Sequence, residues 1–150
     1  MASMGLNTLQ TAQSAGIHHN EKGLSPREIA TIALGTVGTA HQQMLSGNMV
    51  LVYGEGTRSR TGRMGSFRKA VRKYLAVDGC RVVPVAITGS QRMMPIEGTK
   101  MHRAPVQLRI GFPIEVEGLG PLVALEATWR AITEMLPDEY RPMVTTRPVI

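Results

Sequence analysis

Cysteine is nearly missing from this 150-residue chain. The single Cys80 cannot close an internal disulfide, and in Asp78-Gly79-Cys80-Arg81 it has no partner at metal-ligand spacing, so a disulfide scaffold and a cysteine metal site are both excluded. A reducing compartment is implied. Aromatics are also scarce: one tryptophan, three tyrosines and two phenylalanines, with no stacking or groove-reading motif, which argues against a nucleic-acid-binding module. No run approaches the roughly 18 consecutive apolar residues that span a bilayer, because Thr36, Gly38, Thr39, His41, Gln42 and Gln43 interrupt the most apolar helix. The stretch Met1 to Gly16 lacks the positive start and apolar centre of a secretory signal. The chain is therefore expected neither to span a membrane nor to be exported.

What is present is a composition of 43% apolar and 19% charged residues, ordinary for a packed globular fold, with a net charge of +6 that favours anionic partners. Residues 1–25 show no sustained period and read as an irregular segment. Ser25-Pro26-Arg27-Glu28 has helix-start chemistry, a serine cap, proline at the first position and a glutamate placed to close a capping box. A helix is predicted from there to Leu45, with Ile29, Ala33, Val37, Ala40 and Met44 facing a core. Met49 to Tyr53 reads as a strand buried on both faces, as in a parallel sheet. A second helix is predicted from Ser66, with Phe67, Ala70, Val71, Tyr74 and Leu75 inward and Arg68, Lys69, Arg72 and Lys73 outward. Strands follow over Arg81–Ile87, with Pro84 where no ladder donor is needed, and over Val106–Ile114. A last helix runs from Pro121 to Leu136 on the stripe Leu122, Leu125, Trp129, Ile132 and Leu136. This order predicts an α/β fold, a partly parallel sheet flanked by helices, over 26–141, with 142–150 as a tail.

The chemistry concentrates between Gly54 and Lys69. Glycines at 54, 56, 62 and 65 let the main chain approach a ligand, Thr57 and Ser59 add hydroxyls, and the planar fork of Arg58 can hold two phosphate oxygens. Glu55 is the odd member: a base, an acceptor for a substrate hydroxyl, or a clamp for Arg58. The dinucleotide fingerprint fails because Ser59 stands at its third glycine, and no Gly-Lys-Ser/Thr ending makes a P-loop. A solvated basic loop is the plainer alternative.

Tyr53-Gly54-Glu55-Gly56-Thr57-Arg58-Ser59 resembles the Phe-Pro-Glu-Gly-Thr-Arg-Ser block of the glycerol-3-phosphate and 1-acylglycerol-3-phosphate acyltransferases. Phe67-Arg68-Lys69-Ala70 is similar to that family's Phe-Lys-Lys-Gly, and Val83 to Gly89 to its Val-Pro-Val-Ala-Ile-x-Gly. The resemblance implies the C-terminal part of the domain, an incomplete glycerol-3-phosphate acyltransferase-like fold. It implies acyl transfer from a coenzyme A or acyl carrier protein thioester to a lysophospholipid or glycerol-phosphate hydroxyl in phospholipid biosynthesis, with no metal or other cofactor. It carries Glu55, Gly56, Thr57 and Arg58 over as substrate-binding residues, with Ser59, Arg68 and Lys69 as further phosphate or headgroup contacts. It also implies a cytoplasmic location, peripheral at the inner membrane face, on an anionic lipid surface. Gly54 departs from the family proline, which suggests a looser start to the loop.

The family's His-x-x-x-x-Asp motif is the larger departure. Five residues after His18, His19, His41 and His102 stand Gly23, Leu24, Ser46 and Gln107, so no histidine has the aspartate that would orient it as a base. In family order the motif falls before Met1, so the expectation is a truncated domain, inactive alone, that needs a missing N-terminal segment or a second chain. A non-catalytic lipid-phosphate-binding or partner subunit is the alternative. His18, His19 and His102 read as surface groups, and Met93-Met94 as core filler or loose lipid contact.

Overall fold

The computed structural model describes residues 25–150 apart from 97 and 99. The irregular segment expected over 1–25 lies, but for Ser25, outside the described residues, as do His18 and His19. The chain divides into two units, Met1–Leu51 and Val52–Ile150.

In the first unit, helix α1 spans Pro26–Leu45 and begins as the sequence dictates. The Ser25 hydroxyl accepts the Glu28 amide at 3.3 Å and the Glu28 carboxylate accepts the Ser25 amide at 2.7 Å, closing the capping box. Those bonds hold the Glu28 carboxyl below its ordinary range. Ala40 is fully buried, Val37 and Met44 are partly so, and the side chains of Ile29 and Ala33 lie outside the described residues. The helix ends where Gly47, at φ 82°, donates its amide to the Met44 carbonyl. The run Met49–Tyr53 is not the doubly buried strand expected. It has no ladder partner among the described residues, and Leu51 and Tyr53 are 66% and 67% exposed. Apolar β-branched composition favours extension, but a strand also needs a neighbour to take its amides.

In the second unit, a 3-10 helix over Lys69–Leu75 replaces the helix predicted from Ser66. Phe67 and Arg68 cannot join it because their backbone is extended and paired elsewhere: the Phe67 amide donates to Pro148 O at 2.8 Å and the Ile150 amide to Phe67 O at 2.9 Å. Part of the segment read as a tail thus lies alongside Phe67, a parallel bridge between Phe67 and Val149.

The strands among the described residues are short and pair antiparallel, where a partly parallel sheet was expected from element order. β1 (Arg81–Val82) pairs with β4 (Ile114–Glu115), and β2 (Val85–Thr88) with β3 (Gln107–Ile110). The physical reason is local: Pro84, fully buried and lacking an amide, splits the first predicted strand, and Gly111-Phe112-Pro113 splits the second at the facing position. The Gly111 amide donates to the Pro84 carbonyl at 2.9 Å, carrying the pairing across both breaks. Arg81 and Glu115, opposite in register, form an ion pair at 2.8 Å. A four-residue helix α2 (Ser90–Met93) follows β2, and α3 spans Pro121–Met135, ended by Pro137.

The core forms where α3 packs on β2, β4 and the 3-10 helix. Leu125, Trp129 and Leu136 of the predicted stripe are buried there with Ala86, Met64, Phe67 and Tyr140. Mixed helices and small sheets place the chain in the α/β class.

Candidate functional site

The loop from Gly54 to Gly65 is held closed from within. The Gly56 amide donates to the Tyr53 carbonyl at 3.0 Å, and Gly56 sits at φ 67°, where a side chain is strained. The Glu55 carboxylate then turns inward and accepts the Gly65 amide at 2.8 Å, joining the two ends of the loop. Burial pushes the Glu55 carboxyl above its ordinary range and the Gly65 bond only partly opposes it. Glu55 therefore does not clamp Arg58, one of the three roles open to it from sequence.

Three further bonds fix the loop to the core. The Trp129 indole donates to the Gly65 carbonyl at 2.9 Å, the Met64 amide to the Tyr140 carbonyl at 2.9 Å, and the Arg68 amide to the Gly54 carbonyl at 2.9 Å. Gly54 is not loose, as its departure from proline suggested. A Cβ there would stand 2.7 Å from the buried Phe67 ring, so the close approach itself demands glycine.

Arg58 is exposed and reaches across to α2, donating through Nη1 to the Met94 carbonyl at 3.3 Å. Among the described residues no carboxylate pairs with it. Thr57 is exposed beside it, and Ser59 shares a hydrogen bond with Thr61 at 3.2 Å. Arg68 and Lys69 are exposed at the start of the 3-10 helix, the Arg68 stem 3.2 Å from where a Gly56 Cβ would be. The predicted residues thus belong to one loop and the start of the 3-10 helix that follows it, with Glu55 inward and Arg58 outward.

Sequence reasoning missed Tyr140. Its buried ring reaches α2, where its hydroxyl accepts from Gln91 at 3.0 Å and Arg92 at 3.2 Å; those bonds, Arg92 first, hold the phenol below its ordinary range. Among the described residues no cluster of histidine, cysteine, aspartate or glutamate could hold a metal ion. No helix among them is long and apolar enough to cross a membrane.

The glycine-rich loop, tied by the half-buried Glu55 carboxylate and with the exposed Arg58 on its outer side, lies within residues 26–88, which match the family model described as Acyltransferase. Residues 26–88 are thus similar to part of an acyltransferase domain. The chain's curated relatives narrow the comparison to 1-acyl-sn-glycerol-3-phosphate acyltransferases. A chloroplastic one from Arabidopsis thaliana is 43% identical over 58 residues, 37% of this chain and 16% of that protein. Another from Brassica napus is 41% identical over 58 residues, 17% of that protein. One from Pseudomonas aeruginosa is 33% identical over 85 residues, 57% of this chain and 33% of that protein. The matches therefore span between about a sixth and a third of those relatives. No solved structure is a significant match.

Proposed function

We propose that this chain supplies the acceptor-binding part of a glycerophospholipid O-acyltransferase, with a glycerol-3-phosphate acyltransferase-like fold. Arg58 binds the phosphate of a lysophospholipid or glycerol phosphate, helped by the Thr57 and Ser59 hydroxyls and by Arg68 and Lys69. Gly56 lets the main chain approach the glycerol portion. Glu55 acts mainly through the loop it holds closed. The acyl group arrives as a coenzyme A or carrier-protein thioester at an anionic membrane surface in phospholipid biosynthesis, and the chemistry needs no metal.

The single observation that carries this reading is the opposition of Glu55 and Arg58, the carboxylate turned in to the Gly65 amide and the guanidinium turned out with no carboxylate partner among the described residues. A half-buried tie behind and an exposed guanidinium in front suit anion capture, since bidentate guanidinium–phosphate bonds are among the stronger polar contacts. No histidine in the chain has an aspartate five residues on, so proton removal from the acceptor hydroxyl falls to a base outside these 150 residues. Loss of a general base slows transfer by about two to four orders of magnitude. Binding without turnover is the expected behaviour of the chain alone, and is also what a non-catalytic lipid-phosphate-binding subunit would do.

Isothermal titration with glycerol 3-phosphate and with lysophosphatidate tests the reading. Arg58→Ala is expected to weaken binding of both by about tenfold or more, the loss of a charge-assisted hydrogen-bond pair. Equal affinity in the variant and the parent chain would sink the assignment of Arg58.

A further inference from the structure

The connection between β2 and β3 is long and closes on itself. At its base Gly89, at φ 87°, lies against Pro105 so tightly that a Cβ would meet the Pro105 carbonyl at 2.1 Å. One turn further out the His102 amide donates to the Met93 carbonyl at 2.8 Å, and the Gly98 amide turns back to Pro95 O at 3.2 Å. The excursion is pinned twice at its neck, and three apolar residues beyond the neck or beside it are open to solvent: Met94, Ile96 and Met101 are 47%, 41% and 70% exposed. Lys100 and Arg103 are exposed beside them, and over residues 90–105 the sequence holds Arg92, Lys100 and Arg103 against Glu97 alone. Arg58 is bonded to the backbone of this same excursion at Met94.

We infer that the excursion Met93–Arg103 is a membrane-docking loop whose occupant is an anionic bilayer surface. Unbranched methionines with an isoleucine suit loosely ordered acyl chains, and flanking cations suit anionic headgroups, each adding affinity that falls with salt. The proposal rests on the lipid-acceptor reading above and deepens it: through Met94 the loop sets the Arg58 fork at the headgroup plane, where a lysophospholipid presents its phosphate.

The test is co-sedimentation of the full chain with vesicles of phosphatidylcholine alone and of phosphatidylcholine with phosphatidylglycerol. The parent chain binds the anionic vesicles, and Ile96→Asp with Met101→Asp, or Lys100→Glu with Arg103→Glu, lowers that binding about tenfold or more. Val123→Asp, a matched change at an exposed site on α3, leaves it unchanged. Circular dichroism checks that each variant is folded, and glycerol 3-phosphate titration reads the Arg58 site without a bilayer. A second measurement places an environment-sensitive fluorophore at Met101→Cys in a Cys80→Ala background; it shifts to the blue on anionic vesicles. Vesicle binding indifferent to all four loop substitutions, an unshifted fluorophore, or no binding to anionic vesicles overturns the docking loop. Retained glycerol 3-phosphate binding in those cases leaves the acceptor reading standing, whereas its absence from the parent chain removes that reading as well.

Discussion

Replacing Gly54 by alanine isolates the steric demand at the start of the loop. Gly54 is not among the positive-φ glycines, so its backbone tolerates a side chain; the difficulty is space alone. The added Cβ would lie 2.7 Å from three atoms of the Phe67 ring. That ring is 5% exposed and its backbone is bonded to Pro148 and Ile150, so it has little room to retreat. Overpacking of this kind costs about 1–3 kcal/mol. Alanine also removes unfolded-state entropy, which returns about 0.4–1 kcal/mol. The expected net destabilisation is about 1–2 kcal/mol. Urea unfolding followed by tryptophan fluorescence measures it directly, because Trp129 is the sole tryptophan and sits in the core that Phe67 shares. In a Phe67→Leu background, where no ring meets the new methyl, Gly54→Ala should cost less than about 0.5 kcal/mol. Equal cost in both backgrounds, or none in the parent, would refute the steric explanation.

Other consequences follow from the same contacts. Trp129→Phe keeps most of the packing but leaves the Gly65 carbonyl without its 2.9 Å donor, and should destabilise the chain by about 1–3 kcal/mol in urea unfolding followed by circular dichroism. Burial raises the folded-state Glu55 carboxyl above the ordinary value of 4.5, so its stability contribution is full below that value and declines as pH rises through the raised one. Glu55→Gln keeps an acceptor for the Gly65 amide and does not titrate. It should therefore gain on the parent chain from acid towards neutral pH, and a difference that does not change with pH would count against a strained carboxylate. A chain ending at Pro142 loses the partners of the Phe67 and Lys69 amides, and faster hydrogen exchange at those two positions is the expected sign.

The elements with local causes were legible in the sequence. Ser25 and Glu28 announce the start of α1, the three-to-four stripe through Leu125 and Trp129 announces α3, and Pro84 marks a point without a ladder donor. What failed depended on partners far along the chain. Phe67 and Arg68 have helical neighbours in sequence, yet pairing of Phe67 with Pro148 and Ile150 and of the Arg68 amide with the Gly54 carbonyl extends them. Met49–Tyr53 has strand composition without a partner among the described residues, and β2 and β3 pair antiparallel where element order predicted a partly parallel sheet. For the site, residue identities gave the loop and its cations, but nothing in them showed that Glu55 turns to Gly65 while Arg58 turns to Met94. Tyr140 was invisible for the same reason: its role lies in bonds to residues some fifty positions earlier.

The most direct test of the central claim is an acyl-transfer assay with lysophosphatidate and a long-chain acyl-CoA. It compares the 150-residue chain with the same chain joined to a family segment bearing His-x-x-x-x-Asp. The predicted result is negligible turnover by the chain alone and turnover by the joined form that Arg58→Ala abolishes. Turnover by the chain alone would contradict the claim that the base lies outside it, and joined-form activity indifferent to Arg58→Ala would contradict the assigned acceptor site.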